Sequence, residues 1–349
     1  MKTSKTTQAD NSEMPPHLKK VDADNFNISR KKWGRGFRYL NEDGESLVDD
    51  SILDTVQGIA VPNTWTDVTM SDRSDTYIQA RGYDGSGKLQ YLYHPDYLAY
   101  RNEQKFNELL DFGRVIPRIR RRLRKDLAAE HWDEQKLLAL IVKILDKYHL
   151  RIGSRIYAQK GQSYGLTTLR KKHLKEEEDS FSFEYIGKSG QERTINLTDS
   201  SLVKLIEEVA EFPGWELFSF RTDEGKYSAN AGKVNNYIRK ISGGDFSARD
   251  FRTWAGTVLS LKYLSKAQTI VEKNPKRKLG STLVELVSEK LGNTPAICKD
   301  YYIHPEVLKH AIKEDFDNEP CQEKFLKNSL YRKHECRTME ILEMMSDES

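Results

Sequence analysis

Residues 76–94 have the sequence TYIQARGYDGSGKLQYLYH, and this stretch decides the kind of fold. Aromatic and aliphatic residues alternate with polar ones in both halves, and the DGSG between them is typical of a tight turn. We therefore predict a β-hairpin here. From Pro95 onward, apolar residues recur at the three-to-four-residue spacing of a helix. The chain thus changes from sheet to helix directly after this hairpin.

The same two patterns continue outward from the hairpin. Residues 33–97 contain short alternating segments punctuated by glycine, whereas later segments such as 133–150 are amphipathic helices, with a second hairpin at 180–197. We predict an α+β fold with a small N-terminal antiparallel β-sheet domain and a larger, mainly α-helical domain carrying a β-hairpin. The predicted divisions are a flexible leader at 1–25, the sheet domain at 26–100, the helical domain at 101–315 and a helical tail at 316–349.

The composition is that of a globular protein with a polar surface. Of the 349 residues, 37% are hydrophobic and 31% are charged, and the net charge is only +3. So small a net charge does not by itself indicate nucleic-acid binding, which would have to rest on local clusters of cations. The first twenty residues lack the apolar core of a signal peptide, and no stretch approaches the roughly 18 apolar residues of a membrane span. We therefore expect a cytoplasmic protein without a membrane partner.

The cysteines give no sign of a disulfide framework or a metal site. Cys298, Cys321 and Cys336 are widely spaced and form no CxxC motif, which favours free thiols in a reducing compartment. We recognise neither a clustered Asp/Glu metal site nor a GxxxxGK[ST] phosphate loop. The sequence therefore predicts no metal and no small-molecule cofactor.

Cations cluster in RVIPRIRRRLRK, residues 114–125, which contains seven of them, including Arg120 and Arg121. On a helix such a run covers several faces, so it is either a solvated surface or a segment that contacts phosphates. We expect Gly113 and Pro117 to interrupt this helix.

The second strand of the first hairpin is another candidate surface. Tyr91 and Tyr93 would point to one face of the strand and Gln90 to the other. These residues either pack within a half-buried sheet or enter a DNA groove, where glutamine can bond to an adenine edge.

The segment NTPAICKDYYIHP, residues 293–305, contains two adjacent tyrosines near a predicted helix end. Thr294 can cap a helix whose first turn holds Pro295, where a missing N–H costs nothing. Pro305 disfavours helical backbone at the residue before it, so this helix has to end there. Tyr302 is therefore predicted at the end of a two-turn helix, a position that suits either packing or movement.

Four further cations occupy distinct places. In SARDFRTWAGTVLSLKYL, residues 247–264, Arg249 and Arg252 are three apart and would share a helix face beside a buried stripe. Arg151 follows the helical segment KILDKYHL, where a cation meets the helix dipole favourably. Lys188 would be exposed at the tip of the second hairpin. Each has an ordinary structural explanation, but a guanidinium can also hold two phosphate oxygens at once.

Five segments, in this order, resemble the type IB DNA topoisomerases, in particular the short bacterial kind that is similar to the poxvirus enzyme. They are IQARGYDGSGKLQYLYHP, LRIGSRIYAQKGQSYGLTTLRKKHL, FEYIGKSGQERTINL, ARDFRTWAGT and GNTPAICKDYYIHP. The resemblance extends from about residue 59 to residue 310 and leaves out the leader and the tail. It implies that the two domains form a clamp around duplex DNA.

The resemblance implies a catalytic set. It places the set on Arg151 in LRIG, Lys188 in GKSG, Arg252 in DFRTW and Tyr302 directly before IHP. The poxvirus GHTP motif is GNTP here, so Asn293 replaces a histidine. An asparagine donates a hydrogen bond to a phosphoryl oxygen but does not titrate.

Candidate DNA contacts come partly from the same source. The resemblance suggests Gln90, Tyr91, Tyr93 and Tyr157, and we expect further contacts from Arg249, Arg120 and Arg121. Arg249 stands where tyrosine recombinases, which share this chemistry, usually place a histidine.

The implied reaction is relaxation of supercoiled duplex DNA through a 3′-phosphotyrosyl intermediate, strand rotation and religation. It should need neither ATP nor a metal, and a monomer should suffice. Two alternatives stay open: a tyrosine recombinase or integrase acting on paired sites, and a DNA-binding architectural protein without activity. The small N-terminal sheet and RxxR in place of HxxR favour the topoisomerase.

Overall fold

The structure is a computed structural model that describes residues 14–160, 163–177, 180–222, 225–313, 325 and 330–347. The chain divides into two compact units, and the division along the sequence falls between Lys105 and Phe106. Cys321 and the first part of the predicted leader lie outside the described residues. In the part of the chain that is described, no helix combines the length and apolar character needed to cross a membrane.

The first unit contains a five-stranded antiparallel sheet, as predicted. Its strands are β1 Ile28–Trp33, β2 Gly36–Leu40, β3 Thr66–Met70, β4 Ile78–Tyr83 and β5 Leu89–Tyr93. Their order across the sheet is β2-β1-β3-β4-β5, and the hairpin predicted from residues 76–94 is β4–β5.

One face of this sheet is apolar. Ile28, Met70 and Ala80 occupy neighbouring positions on it and pack with Val56 of helix α1, Asp50–Gly58. Residues on the opposite face alternate with these along each strand and are more polar. The small core of this unit therefore lies on one side of the sheet only.

The predicted leader is ordered at its C-terminal end. Leu18 is buried, Lys19 forms a parallel bridge to Thr76, and a short 3₁₀ turn spans Ala23–Asn25. The prediction of a flexible leader up to residue 25 is therefore wrong for this part. The polar composition of the segment did not reveal that Leu18 and Ala23 would both be buried.

The larger unit is mainly helical. Its helices are α2 Pro95–Leu127 (which contains the unit boundary), α3 Glu134–Tyr148, α4 Arg155–Lys160, α5 Ser200–Glu211, α6 Ala231–Ser242, α7 Ala248–Lys262, α8 Leu264–Lys273, α9 Leu279–Leu291, α10 Pro295–Tyr302, α11 Pro305–Ala311 and α12 Lys333–Asp347. Its strands are β6 Leu174–Glu177, β7 Ser180–Ile186 and β8 Glu192–Leu197, in that order in one sheet, and the pair β9 Ser219–Thr222 and β10 Gly225–Ser228. The predicted α+β fold is confirmed.

Helix α2 is continuous, although we predicted an interruption at Gly113 and Pro117. Pro117 has no N–H to donate to the carbonyl of Gly113, four residues earlier. The hydroxyl of Tyr331 donates to that carbonyl instead, at 3.0 Å. A partner more than two hundred residues away thus replaces the missing helical hydrogen bond.

Arg120 lies at the centre of a buried ionic network that joins three helices. Its five N–H groups donate to both oxygens of Asp146 (2.7 and 3.0 Å), to both oxygens of Glu335 (2.7 Å each) and to the carbonyl of Leu330 (2.5 Å). Glu335 also accepts from the indole N–H of Trp254 at 3.2 Å. The prediction that Arg120 contacts DNA is therefore corrected, because no donor of this guanidinium is left for a phosphate.

Replacement of Glu335 should destabilise the larger unit. Glu335→Gln leaves the buried guanidinium with one carboxylate instead of two, so we expect the free energy of unfolding to fall by about 3 kcal/mol in urea denaturation. Glu306→Gln is the control, because the ion pair of Glu306 with Lys309 is exposed and should contribute less than about 0.5 kcal/mol. Equal effects of the two substitutions would contradict a supporting role for the network.

Candidate active site

Helix α10 ends at Tyr302, as the sequence predicted. The side chain of Thr294 accepts a hydrogen bond from the N–H of Ile297, Pro295 occupies the first turn, and the N–H of Ile303 closes the last turn on Cys298 O at 3.2 Å. Tyr302 is half-buried at the last helical position. Its phenol therefore lies at a helix terminus, beside the end of α9.

The C-terminal end of α9 collects three arginines. Gly292 ends this helix in the left-handed conformation with a φ of 63°, and its N–H donates to the carbonyl of Glu289 at 3.1 Å. The carbonyls that follow have no helical N–H to accept from. Arg193 donates to the carbonyls of Glu289 and Lys290 (3.4 and 3.2 Å), Arg252 to Leu291 (3.0 Å) and Arg151 to Gly292 (2.7 Å). The negative end of the helix dipole further favours cations at this place.

Asn293, the next residue, connects two of these arginines. Its side-chain oxygen accepts from Arg151 and, at 3.4 Å, from Arg252. Its amide nitrogen and the Nε of Arg252 are buried, and neither has a hydrogen-bond partner within the described chain. Buried donors without partners are costly, so this corner is arranged to receive an acceptor.

The two guanidiniums are close enough to affect each other. Burial, followed by the positive charge of Arg252, lowers the pKa of Arg151 to about 10. Burial also lowers the pKa of Arg252, which is only 4% exposed, while interaction with Tyr302 opposes that shift. The Cζ atom of Arg252 lies 5.0 Å from the centre of the Tyr302 ring. An anion bound here would relieve the repulsion between the cations.

Helix α7 positions Tyr302 as well as Arg252. Gly256 lies so close to the end of α10 that a Cβ atom there would be 2.3 Å from the carbonyl oxygen of Tyr302. The hydroxyl of Thr257 accepts from the N–H of His304 at 3.0 Å and lies 3.5 Å from the same Tyr302 carbonyl. The helix that carries the guanidinium of Arg252 therefore also contacts the backbone that carries the phenol.

Lys188 does not join this cluster. It is exposed at the β7–β8 tip, where Ser189 and Gly190 have φ values of 64° and 73°, and no hydrogen bond or ion pair holds its ammonium to any described residue. The structure thus brings Arg151, Arg252, Asn293 and Tyr302 together and leaves Lys188 outside.

Sequence reasoning missed Arg193 and Tyr185. They face each other in the β7–β8 register, and Arg193 attaches this hairpin to the end of α9. Burial raises the pKa of the Tyr185 hydroxyl, while Arg193, Arg252 and Arg151 oppose the shift, so this phenol also borders the cluster. The signal available was the hairpin register, which pairs these two residues around the GKSG tip.

The predicted DNA contacts of the first unit lie on or near β5. Tyr91 is exposed, whereas Tyr93 is half-buried and stacks on Tyr97 with ring centres 5.4 Å apart. The amide of Gln90 donates to a carboxylate oxygen of Asp84 at 2.7 Å.

The remaining predicted contacts lie in the larger unit. Tyr157 is half-buried on α4, and Arg121 is exposed on α2. Arg249 is exposed in the first turn of α7, whereas Arg252 is buried. The two arginines are three apart on α7, as predicted, but they differ in exposure.

Comparisons with known proteins agree on one family. The family described as "Eukaryotic DNA topoisomerase I, catalytic core" matches residues 95–325, and "Bacterial DNA topoisomerase IB, N-terminal domain" matches residues 36–84. The DNA topoisomerase 1B of Acanthamoeba polyphaga mimivirus is 27% identical over 284 residues, which cover 79% of this chain and 84% of the relative. The DNA topoisomerase 1B of Vaccinia virus (strain Copenhagen) is 22% identical over 291 residues, covering 79% of this chain and 90% of the relative.

The contact between α7 and α10 yields a prediction. Gly256→Ala should force the two helices apart and lower the free energy of unfolding by about 2 kcal/mol, as measured by urea denaturation. Gly280→Ala is the matched control, because a Cβ at this helical glycine would come no closer than 3.7 Å to a described side chain. That substitution should be neutral or stabilise by up to about 1 kcal/mol. If Gly256→Ala instead raises the free energy of unfolding, the space between α7 and the backbone of Tyr302 accommodates a methyl group and the prediction is wrong.

Proposed function

The chain belongs to the type IB DNA topoisomerase family, and we propose that it relaxes supercoiled duplex DNA by transient cleavage of one strand. It is an isomerase whose substrate is DNA. In the proposed reaction Tyr302 becomes linked to a 3′ phosphate, the freed strand rotates about its partner, and the strand is then resealed.

One observation carries the assignment of the residues: two guanidiniums converge on the side chain of Asn293 beside the phenol of Tyr302. The unpartnered Nε of Arg252 and amide nitrogen of Asn293 supply donors for the oxygens of a phosphate. Arg151 and Arg252 would stabilise the charge that develops on the non-bridging oxygens in the transition state. Asn293 adds a neutral donor at the position where the poxvirus enzyme has a histidine.

The chemical step exchanges one bond for another. The oxygen of Tyr302 forms a bond to phosphorus, the bond between phosphorus and the 5′ oxygen breaks, and the phenolic proton passes to solvent. The leaving 5′ oxygen takes a proton from Lys188, which acts as general acid. Religation is the reverse: the 5′ hydroxyl attacks phosphorus, returns its proton to Lys188 and releases Tyr302.

This assignment requires Lys188 to approach the cluster after DNA binds. The exposed tip with two left-handed residues suits such a movement, because the ammonium is free of described partners, while Arg193, directly below the tip, attaches the hairpin to the end of α9. The movement would thus involve the tip beyond Arg193 and not the whole hairpin.

We further propose that the reaction needs neither ATP nor a metal. The phosphotyrosyl link is itself a phosphodiester, so the energy of the broken bond is retained for religation. A monomer is enough to cut one strand. A plasmid relaxation assay with chelator and without ATP tests these points. A recombinase would need paired sites, and an inactive DNA-binding protein would leave the plasmid supercoiled.

One prediction from the proposed function concerns the nucleophile. Tyr302→Phe removes one oxygen atom, so this variant should bind duplex DNA normally but form no covalent adduct on a denaturing gel. Tyr301→Phe, the neighbouring control, should keep adduct formation and relaxation. An adduct that persists in Tyr302→Phe and disappears in Tyr301→Phe would assign the nucleophile to the other tyrosine.

Another prediction concerns Lys188 as the general acid. Lys188→Ala should slow cleavage by about 100-fold or more with little change in DNA binding. Lys188→Arg keeps the positive charge but not a dissociable proton, so it should not restore the rate.

A substrate with sulfur in place of the leaving 5′ oxygen provides the control, because a thiolate leaves without protonation. The Lys188→Ala variant should cleave this substrate at nearly the parent rate. A defect of equal size on both substrates would exclude Lys188 as the general acid.

A further inference from the structure

The hairpin β1–β2 presents a group of cations that the fold itself does not use. Lys31, Lys32, Arg35 and Arg38 are exposed, and within the described part of the chain none of them forms an ion pair. Residues 30–40, RKKWGRGFRYL, contain no acidic residue. This positive charge is therefore uncompensated within the chain.

The register of the hairpin places two of these cations where they disfavour folding. Lys31 lies directly opposite Arg38, and like charges at facing positions destabilise an antiparallel pair. Trp33, at the end of β1, is 64% exposed, and the Cζ atom of Arg38 lies 4.3 Å from the centre of its ring. A cation pair and an exposed indole at this place point to a ligand outside the chain that is negatively charged.

The base of the hairpin is firmly held. Arg30 is buried, and it donates to the carbonyls of Val61 and Pro62, both at 2.8 Å, while its Cζ atom lies 4.1 Å from the centre of the Phe37 ring. The tip is therefore a preorganised surface, and stacking on the indole also orients the guanidinium of Arg38.

The pairing pattern places this tip on the same face of the sheet as Tyr91. Cross-strand neighbours share a face, and one row across the sheet consists of Tyr91, Arg81, Thr69 and Ser29. Lys31 and Trp33 alternate with Ser29 along β1, so they lie on this face too. Lys32 lies on the other one.

Between the β1–β2 tip and Tyr91, this face carries a cation, Arg81, whose charge is already compensated. Arg81 forms an ion pair with Asp24 and donates to the hydroxyl of Thr69 at 3.1 Å. Three strand intervals separate β5 from β1, about 14 Å. This distance corresponds to about four base pairs of duplex.

We propose that Lys31, Trp33 and Arg38 form a second phosphate-binding contact for duplex DNA, on the flank of the segment that Tyr91 contacts. The proposal rests on the proposed function and on the contact with DNA predicted for Tyr91. The two cations bind the phosphate backbone of the same duplex, and Trp33 holds the guanidinium of Arg38 in place.

Salt-dependent binding tests the contact, with full-length chain carrying Tyr302→Phe as the parent so that no adduct forms. Each phosphate contact contributes about 0.9 to the slope of log K against log salt, so Lys31→Ala should reduce the slope by about 0.9 and the double variant Lys31→Ala/Arg38→Ala by about 1.8. Lys32→Ala is the matched control, since it removes the same charge one residue away on the other face. Its slope should equal that of the parent.

The unfolding midpoint gives an independent readout. Removal of one of two facing like charges should leave the midpoint unchanged or raise it, while the affinity for DNA falls. A slope unchanged in the double variant would overturn the proposal, as would an equal loss in Lys32→Ala. If the parent itself shows no salt-dependent duplex binding, the proposed function fails too. Failure of the hairpin contact alone would leave the binding of the parent intact, so the two failures are distinguishable.

A further experiment tests whether the hairpin binds the same duplex as Tyr91 or a second duplex. Two short duplexes with different fluorophores should not be brought together by the parent, because the proposed contacts lie on one continuous duplex. Energy transfer between the labels that is lost in Lys31→Ala/Arg38→Ala would assign the hairpin to a second duplex and overturn the proposal.

Discussion

The end of helix α9 provides hydrogen-bond acceptors that no residue of the helix can use. Its last carbonyls lie at the negative end of the helix dipole and accept from Arg193, Arg252 and Arg151, which come from three separate elements. Asn293 follows directly and links two of the three. The arrangement of the candidate site therefore depends on where this one helix stops, and the left-handed Gly292 defines that point.

Grouping cations at low solvent exposure costs free energy, and the lowered pKa values of Arg151 and Arg252 express that cost. Backbone acceptors offset only part of it, because a carbonyl carries no net charge. The remaining imbalance supports the proposal that these guanidiniums bind an anion such as a phosphate. The backbone at Tyr302 and His304 contacts Gly256 and Thr257 of α7, the helix that also carries Arg252, so the phenol is held beside that guanidinium.

Local rules predicted those features that neighbouring residues determine. Pro305 limits α10, and this was enough to place Tyr302 at its end. Pro117 was misjudged because its missing hydrogen bond is replaced by a hydroxyl from the far end of the chain. The prediction of a DNA contact for Arg120 was wrong for the same reason, since the carboxylates that accept its hydrogen bonds come from distant helices. The catalytic set came from family resemblance, and Arg193 escaped notice because only strand register reveals its position.

The family described as a topoisomerase catalytic core ends at residue 325, whereas helix α12 begins at Lys333. This helix nevertheless supplies Glu335, without which Arg120 on α2 and Trp254 on α7 would each lose a buried partner. The beginning and the end of the larger unit are thus joined through one buried network. A chimera that exchanges the core with that of a relative has to take both the arginine and Glu335 from one parent, or one of these buried groups loses a charged partner.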